Sequence, residues 1–135
     1  MGKAVVDPGS TAVTAALVLA ADDPRRLARF YAALAGPGAE LQPGLSESHW
    51  RVCLPDAGWL ELYRPSSTRP LARQRGRLAV CLRRRHGPLE LDAWIDQAFS
   101  LGGQLLEPSR SEPFGREAWL LDPEGNALLL LVSGP

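Results

Sequence analysis

Apolar residues along this chain recur at two spacings, one typical of a strand and the other of an amphipathic helix. Residues 11–20 are Thr, Ala, Val and Leu throughout, over a length that predicts a buried strand. After it, Asp22 or Asp23 can accept the free backbone N–H groups at a helix start, and Pro24 suits the first helical position. Gly36, with the Pro and Gly that follow it, ends this helix. The apolar face of the helix is predicted to contain Leu27, Phe30, Tyr31 and Leu34.

Three short apolar segments follow the first helix, and the last two form a hairpin signal. Residues 39–41 predict a short strand, and residues 49–54 and 59–63 predict two longer ones. The four residues between the longer strands, Pro-Asp-Ala-Gly, favour a tight turn. A link rich in Pro and Arg then runs from residue 64 to residue 76.

The same order of elements then occurs a second time. The glycines that end the two helices, Gly36 and Gly103, are 67 residues apart, and so are the hairpin glycines Gly58 and Gly125. Agreement in both order and spacing indicates a duplicated module. We therefore expect an α+β fold of two tandem βαβββ modules within one domain. The predicted segments are a disordered arm at 1–10, the domain at 11–135, its modules at 11–65 and 76–133, and second-half elements at 77–83, 88–101, 104–106, 116–121 and 127–132.

Composition agrees with one ordinary globular domain. The chain has 135 residues, of which 45% are hydrophobic and 22% charged. Its longest near-apolar run, residues 11–21, is far shorter than the roughly 20 residues that cross a bilayer, so we expect no membrane partner. Cys53 and Cys81 lie in separate apolar runs without a CxxC neighbour, which favours buried free thiols. The N-terminal residues only faintly resemble a secretory signal, because Asp7, Pro8 and Gly9 separate Lys3 from the apolar run, and we expect a cytoplasmic protein with no cofactor.

The charges balance over the whole chain but not along it. The 15 basic and 15 acidic residues give zero formal net charge, yet residues 62–89 contain eight Arg and no acid. Such a block is one signature of a nucleic-acid surface. However, no interleaved aromatic residues or recognition-helix pattern accompany it, so base stacking and base readout have no carrier. We expect no nucleic-acid partner and interpret these arginines as an exposed loop and an edge-strand end.

Two stretches of sequence resemble a known superfamily. The nine residues from Asp23 to Tyr31 are similar to its first-helix pattern D-x-x-R-x-x-x-F-Y, and those from Gly115 to Asn126 to its closing hairpin G-x-x-x-x-f-x-D-P-d-G-N. With the repeated element order, the chain is identified as a member of the vicinal-oxygen-chelate superfamily over residues 11–133. This superfamily groups glyoxalases, bleomycin-resistance proteins, fosfomycin-resistance enzymes and extradiol dioxygenases.

The resemblance implies curved mixed sheets around a cleft, as in the glyoxalase/bleomycin-resistance fold. In metal-dependent members, four side chains in that cleft bind a divalent ion. The corresponding positions here are Ala16, Glu61, Arg77 and Leu129. Only Glu61 can donate a lone pair to a cation, so the resemblance implies a cleft without a metal and makes metal-dependent glyoxalase or dioxygenase chemistry unexpected.

The same alignment predicts the contents of the cleft. Strand alternation places Trp59 and Tyr63 on the face of Glu61, where they can stack on a flat ligand or fill the core. Arg77 can either clamp a carboxylate or phosphate or form an ion pair with Glu61. Alternation also allows His49, Arg51 and Cys53 on the face of Glu61, but the sequence does not fix their register. His49 has no evident partner nearby in sequence and is interpreted as a surface residue at a strand end.

Three functions remain open from sequence. The first is a metal-free protein that binds a small aromatic or anionic molecule in the cleft, with ligand contacts from Trp59, Tyr63, Arg77, Ala16 and Leu129. The second is an enzyme that abstracts a proton next to a carbonyl with Glu61 as catalytic base. The third is a non-catalytic scaffold that contacts other proteins through its Arg-rich stretch. A homodimer is expected in each case, because the clefts of this superfamily are commonly shared between chains.

Overall fold

The computed structural model describes residues 14–67, 78–85 and 90–133, and two helices and nine strands lie within these ranges. The predicted N-terminal arm, Arg77 and Pro88 lie outside the described residues. The elements in chain order are β1 (Ala16–Ala20), α1 (Pro24–Ala35), β2 (Glu40–Pro43), β3 (His49–Leu54), β4 (Gly58–Tyr63), β5 (Val80–Arg85), α2 (Glu90–Ser100), β6 (Gln104–Leu105), β7 (Arg110–Glu112), β8 (Gly115–Leu121) and β9 (Ala127–Ser133).

The strands form two sheets with the same internal order. In sheet 1 the order is β1-β4-β3-β2, and in sheet 2 it is β5-β9-β8-β6, with the short strand β7 also paired to β8. β1 pairs with β4 in parallel, and β5 pairs with β9 in parallel. All other strand pairs in the described ranges are antiparallel. The predicted α+β fold with a repeated βαβββ order is confirmed, and β7 is an addition that the sequence pattern did not predict.

Local sequence explains where α1 begins and ends. The Asp23 side chain accepts a hydrogen bond from the Arg26 backbone N–H, and Pro24 occupies the first turn, as predicted. Gly36 follows the last turn at φ 85°, a left-handed conformation that favours glycine. The four residues predicted for the apolar face of α1 are all buried.

Each helix covers one face of a sheet, and the core lies between them. α1 packs against β3 and β4, and α2 packs against β8 and β9. The strand residues that face the helices alternate with half-buried residues on the opposite face, as expected for a sheet with one covered side. The fully buried strand residues are Val52, Leu60, Leu62, Ala118, Leu120, Leu128, Leu130 and Val132.

The two modules contact each other within one chain through their helices. The Trp94 indole N–H on α2 donates to the Leu34 carbonyl oxygen on α1 at 2.9 Å, and Gln97 donates to the Ala33 carbonyl at 3.2 Å. A cavity of about 100 Å³ lies between the modules, lined by residues of β1, Tyr31 and the start of β5 and β9. No helix in the described ranges is both long enough and apolar enough to cross a membrane.

The two cysteines differ from the prediction. Both are free thiols, as expected, but Cys53 is only half-buried and Cys81 is exposed. Both lie on the sheet faces that point away from the helices, because Cys53 is opposite Trp59 and Cys81 is opposite Leu129. An apolar run therefore correctly predicted a strand here, but it did not predict which side chains the helices would cover.

Candidate functional site

The face of sheet 1 that points away from α1 brings together most of the residues predicted to form the cleft. We call this surface the open face. Its residues are half-buried or exposed, in contrast to the closed apolar face beneath the helix. The residues of the open face are Ala16, Val18, His49, Arg51, Cys53, Trp59, Glu61 and Tyr63.

Glu61 lies at the centre of the open face and accepts hydrogen bonds from two neighbours on β3. Its Oε1 is 2.7 Å from His49 Nε2, and both of its oxygens are 2.9 Å from Arg51 Nε. The strand register explains the pairing with Arg51, because the two residues are directly opposite each other in the β3–β4 ladder. The carboxylate side chain is 18% exposed, so these contacts are partly shielded from water.

His49 is held by the loop that precedes β3. Its Nδ1 accepts a hydrogen bond from the Leu45 backbone N–H at 3.0 Å, so in the neutral ring the proton is on Nε2, which donates to Glu61. Gly44 makes room for the ring, since a Cβ at this position would be only 2.3 Å from His49 Cγ. The interpretation of His49 as a surface residue without a partner is therefore wrong: its side chain is 15% exposed and bonded at both nitrogens.

Arg51 connects this carboxylate to the aromatic part of the open face. Its guanidinium carbon is 4.0 Å from the centroid of the Trp59 ring, a distance at which a cation is attracted to the ring face. The side chain is 32% exposed. Among the described residues, no acceptor binds its two terminal nitrogens, since its hydrogen bonds are made by Nε alone. Arg51 therefore presents two terminal nitrogens that no described residue accepts from, beside an aromatic ring.

The remaining predicted ligand-binding residues lie at several places around this cluster. Ala16 is opposite Trp59 in the β1–β4 ladder, while Val18 is opposite Glu61, and Tyr63 is opposite His49. Leu129 is on the corresponding face of sheet 2, opposite Trp119. The predicted ion pair between Glu61 and Arg77 cannot be located, because Arg77 lies outside the described residues.

Sequence reasoning allowed His49, Arg51 and Cys53 on this face, but it did not pair Arg51 or His49 with Glu61. The available signal was the alternation along β3: His49, Arg51 and Cys53 share one face, and a hairpin closed between Leu54 and Gly58 puts Arg51 beside Glu61. A register shifted by one residue would have put Trp50 or Val52 there instead. The residue that faces Glu61 thus depends on which residues pair at the β3–β4 turn.

The corresponding face of sheet 2 has a different charge arrangement. Glu117 is 9% exposed and accepts a hydrogen bond from Arg110 Nε at 3.0 Å. On the same face, partial burial raises the pKa of the Cys81 thiol; Arg83 opposes this shift, and Glu117 adds to it. The pKa of the Arg110 guanidinium is also raised, chiefly by its hydrogen bond to Glu117. The acid of this face is therefore also engaged by a neighbouring arginine.

The donor set does not fit the divalent ion that the resemblance associates with this fold. The methyl group of Ala16 and the isobutyl group of Leu129 have no lone pair, and the lone pairs of Glu61 are shared with Arg51 and His49. In the described part of the chain, no group of three or more His, Cys, Asp or Glu side chains could hold a metal.

The comparison with known families decides the membership of this chain. A family model described as "Glyoxalase-like domain" matches residues 16–131, which covers both modules. The chain belongs to the glyoxalase-like domain family. The resemblance drawn from the first-helix and closing-hairpin patterns is thus confirmed, although no curated protein matches the sequence.

Solved structures of other proteins share the fold of this glyoxalase-like protein. A hypothetical protein from S. aureus, SA1046, superposes with a TM-score of 0.73 at 16% identity over 91% of this chain and 95% of that one. A glyoxalase/bleomycin resistance protein from Albidiferax ferrireducens gives a TM-score of 0.64 at 24% identity, covering 88% and 97%. The fosfomycin resistance protein FosX from Listeria monocytogenes gives 0.67 at 16% identity, covering 92% and 95%. These identities support a common fold only.

Proposed function

We propose that this glyoxalase-like protein binds a small aromatic or anionic molecule on the open face, without a metal ion. The observation that carries the proposal is the half-buried Trp59 ring, which lies beside a cationic group and above a closed core. Aromatic side chains at ligand sites supply a large apolar contact, and a few polar groups orient the ligand. Trp59, Arg51 and Tyr63 combine these two properties within one surface.

Two other hollows are weaker candidates for the ligand site. The cavity between the modules, at about 100 Å³, is below the roughly 300 Å³ at which small-molecule pockets begin. A groove of about 490 Å³ beside the β3–β4 turn is large enough and is lined by Arg83, Arg84 and Trp94. There, however, Trp94 is only 2% exposed, so its ring offers little surface to a ligand, whereas Trp59 is half-buried.

The contacts of Glu61 favour binding over proton abstraction. A general base needs a free lone pair directed at the substrate, whereas Glu61 accepts from His49 and Arg51 through both oxygens. We therefore assign Glu61 the task of holding neighbouring side chains in this proposal. Its role as a catalytic base stays a prediction, and Glu61→Gln with unchanged turnover of a candidate substrate would exclude it.

Calorimetric titration with 2-naphthoate and its neutral analogue 2-naphthamide tests the proposed function. We expect at least one of them to bind, and Trp59→Ala to weaken binding about tenfold, in line with the loss of one stacked ring pair. The Kd should be the same with and without a chelator, because no metal takes part in the proposed site.

The matched control removes an exposed aromatic ring elsewhere. Phe114 lies between β7 and β8 and is 47% exposed, so Phe114→Ala should leave the Kd unchanged. If neither probe binds, the proposed function is refuted, and if the two variants weaken binding equally, the proposed location is refuted. Binding that requires an added divalent ion would refute the metal-free part of the proposal.

A further inference from the structure

We infer that the ligand of the open face carries a planar anionic group, a carboxylate, and that Arg51 is the residue that selects it. The inference rests on the proposed function, since it names the ligand class of the same site. Three observations support it. Trp59 and Glu61 hold the Arg51 guanidinium, the terminal nitrogens of Arg51 have no acceptor among the described residues, and the loop between β2 and β3 positions Glu61.

Two contacts fix the Arg51 guanidinium in place. The Trp59 ring supports one face of the guanidinium plane at 4.0 Å, and Glu61 accepts from Nε at 2.9 Å. The side chain therefore does not have to be ordered when a ligand arrives, which reduces the entropic cost of binding. A guanidinium held in this way is better prepared for recognition than a mobile surface arginine.

The unused edge of Arg51 matches a carboxylate. Arginine can present two parallel N–H donors to the two oxygens of a carboxylate, a geometry that a lysine cannot reproduce. Glu61 takes only Nε, and within the described ranges no residue accepts from the terminal nitrogens. An aromatic acid could place its carboxylate on this edge and its ring beside Trp59.

The loop between β2 and β3 positions Glu61 through His49. Leu45 fixes the ring of His49 through Nδ1, and His49 in turn holds Oε1 of Glu61. Gly44 is the residue that allows this packing, because an added Cβ would collide with the His49 ring. We assign Gly44 and His49 as positioning residues, which act on the ligand through Glu61 and Arg51.

The alternative is an ordinary cross-strand ion pair that stabilises the hairpin and selects nothing. The two roles differ in one measurable ratio, the Kd for 2-naphthamide divided by the Kd for 2-naphthoate. Selection by Arg51 predicts a ratio of about ten or more, as expected for one charge-assisted bidentate contact. A purely structural pair predicts a ratio near one.

Arg51→Met should bring this ratio close to one and change the affinity for 2-naphthamide far less. Arg51→Lys retains the charge and should give a ratio between those of the parent and of Arg51→Met, so it serves as a second variant if Arg51→Met does not fold. Arg83→Met is the matched control, because Arg83 is an exposed arginine on sheet 2, and it should keep the parent ratio.

Gly44→Ala tests the positioning chain without touching the ligand. It should lower the ratio while far-ultraviolet circular dichroism stays unchanged, whereas Ser46→Ala in the same loop should not. Equal affinities of the parent protein for the two probes, or a ratio that survives Arg51→Met, would overturn the inference while leaving the proposed function intact. If neither probe binds, the proposed function fails and this inference fails with it.

Discussion

At the scale of single residues, Tyr31 illustrates how one side chain serves both core and contact. The helical pattern predicted it as part of the apolar face of α1, and it is fully buried. Its hydroxyl also donates to Asp122 Oδ2 at 2.7 Å in the turn of the other module. Asp122 further accepts from the Glu124 and Asn126 backbone N–H groups, so the carboxylate is satisfied at both oxygens.

Tyr31 makes stability dependent on pH in the alkaline range. Burial, followed by the charge of Asp122 and the hydrogen bond to it, raises the pKa of Tyr31 well above its ordinary value. Above about pH 10 the unfolded chain loses this proton while the folded chain keeps it, so the free energy of unfolding falls as the pH rises. Below that pH both states keep the proton, and Tyr31 adds no pH dependence.

Urea unfolding between about pH 8 and pH 11 measures this effect. Tyr31→Phe should be less stable than the parent at neutral pH but should lose less stability on going to high pH. Tyr63→Phe is the control, and its free energy of unfolding should still show the decrease with pH that Tyr31 causes. Identical slopes for the parent and Tyr31→Phe would contradict the assignment.

At the scale of elements, the two hairpin turns differ in length, although they occupy the same position in the two modules. The β3–β4 turn has three residues between the paired Leu54 and Gly58, whereas the β8–β9 turn has five between Leu121 and Ala127. The longer turn reaches the start of α1, where Glu124 accepts from the backbone N–H groups of Asp22 and Asp23, the latter at 2.9 Å. The second module thus holds the two residues that lead into the helix of the first.

Removal of this contact should destabilise the protein measurably. Glu124→Ala removes the acceptor of the Asp22 and Asp23 backbone N–H groups just before α1, and we expect about 1 kcal/mol lower free energy of unfolding, the usual net contribution of a hydrogen bond. Glu47→Ala, a change of the same type at an exposed residue between β2 and β3, is the control. Equal stability of the two variants would show that the contact contributes nothing.

The C-terminal end of each helix also lies beside a side chain from the other module. Neither helix has a basic residue in its last turn. A Cβ on Gly36, after α1, would be 3.6 Å from Arg84 Nη2, and a Cβ on Gly102, after α2, would be 3.3 Å from Arg26 Nη2. Each helix C-terminus therefore has an arginine from the other module beside it, where a cation interacts favourably with the helix dipole.

At the scale of the whole molecule, both modules belong to one packed body within a single chain. The sequence left open whether modules pair within or between chains, since the linker at residues 64–76 permits either. The Trp94–Leu34 hydrogen bond and the Glu124 contacts join the two modules of one chain on the side where the helices lie. The open face lies on the opposite side of sheet 1.

The homodimer expected from the family resemblance stays a prediction. Exposed apolar side chains along the first strand of sheet 1, with Val18 58% and Leu17 44% exposed, are available to a second copy. Light scattering at micromolar concentration should give twice the mass of 14.6 kDa, and Val18→Glu should reduce it to the monomer value. A monomer in the parent protein would contradict the prediction.

The sequence by itself determined the order of the elements apart from β7, the limits of α1, the hairpins and the family. These features depend on local properties: helical and strand spacing, a capping Asp, left-handed glycines and the closing-hairpin motif. Only the tertiary structure decided which groups surround Glu61. Arg77, the partner expected from sequence, lies outside the described residues; within them, the register of β3 against β4 brings Arg51, and a loop packed on Gly44 brings His49. Such contacts depend on turn closure and side-chain reach, which spacing along the chain does not encode.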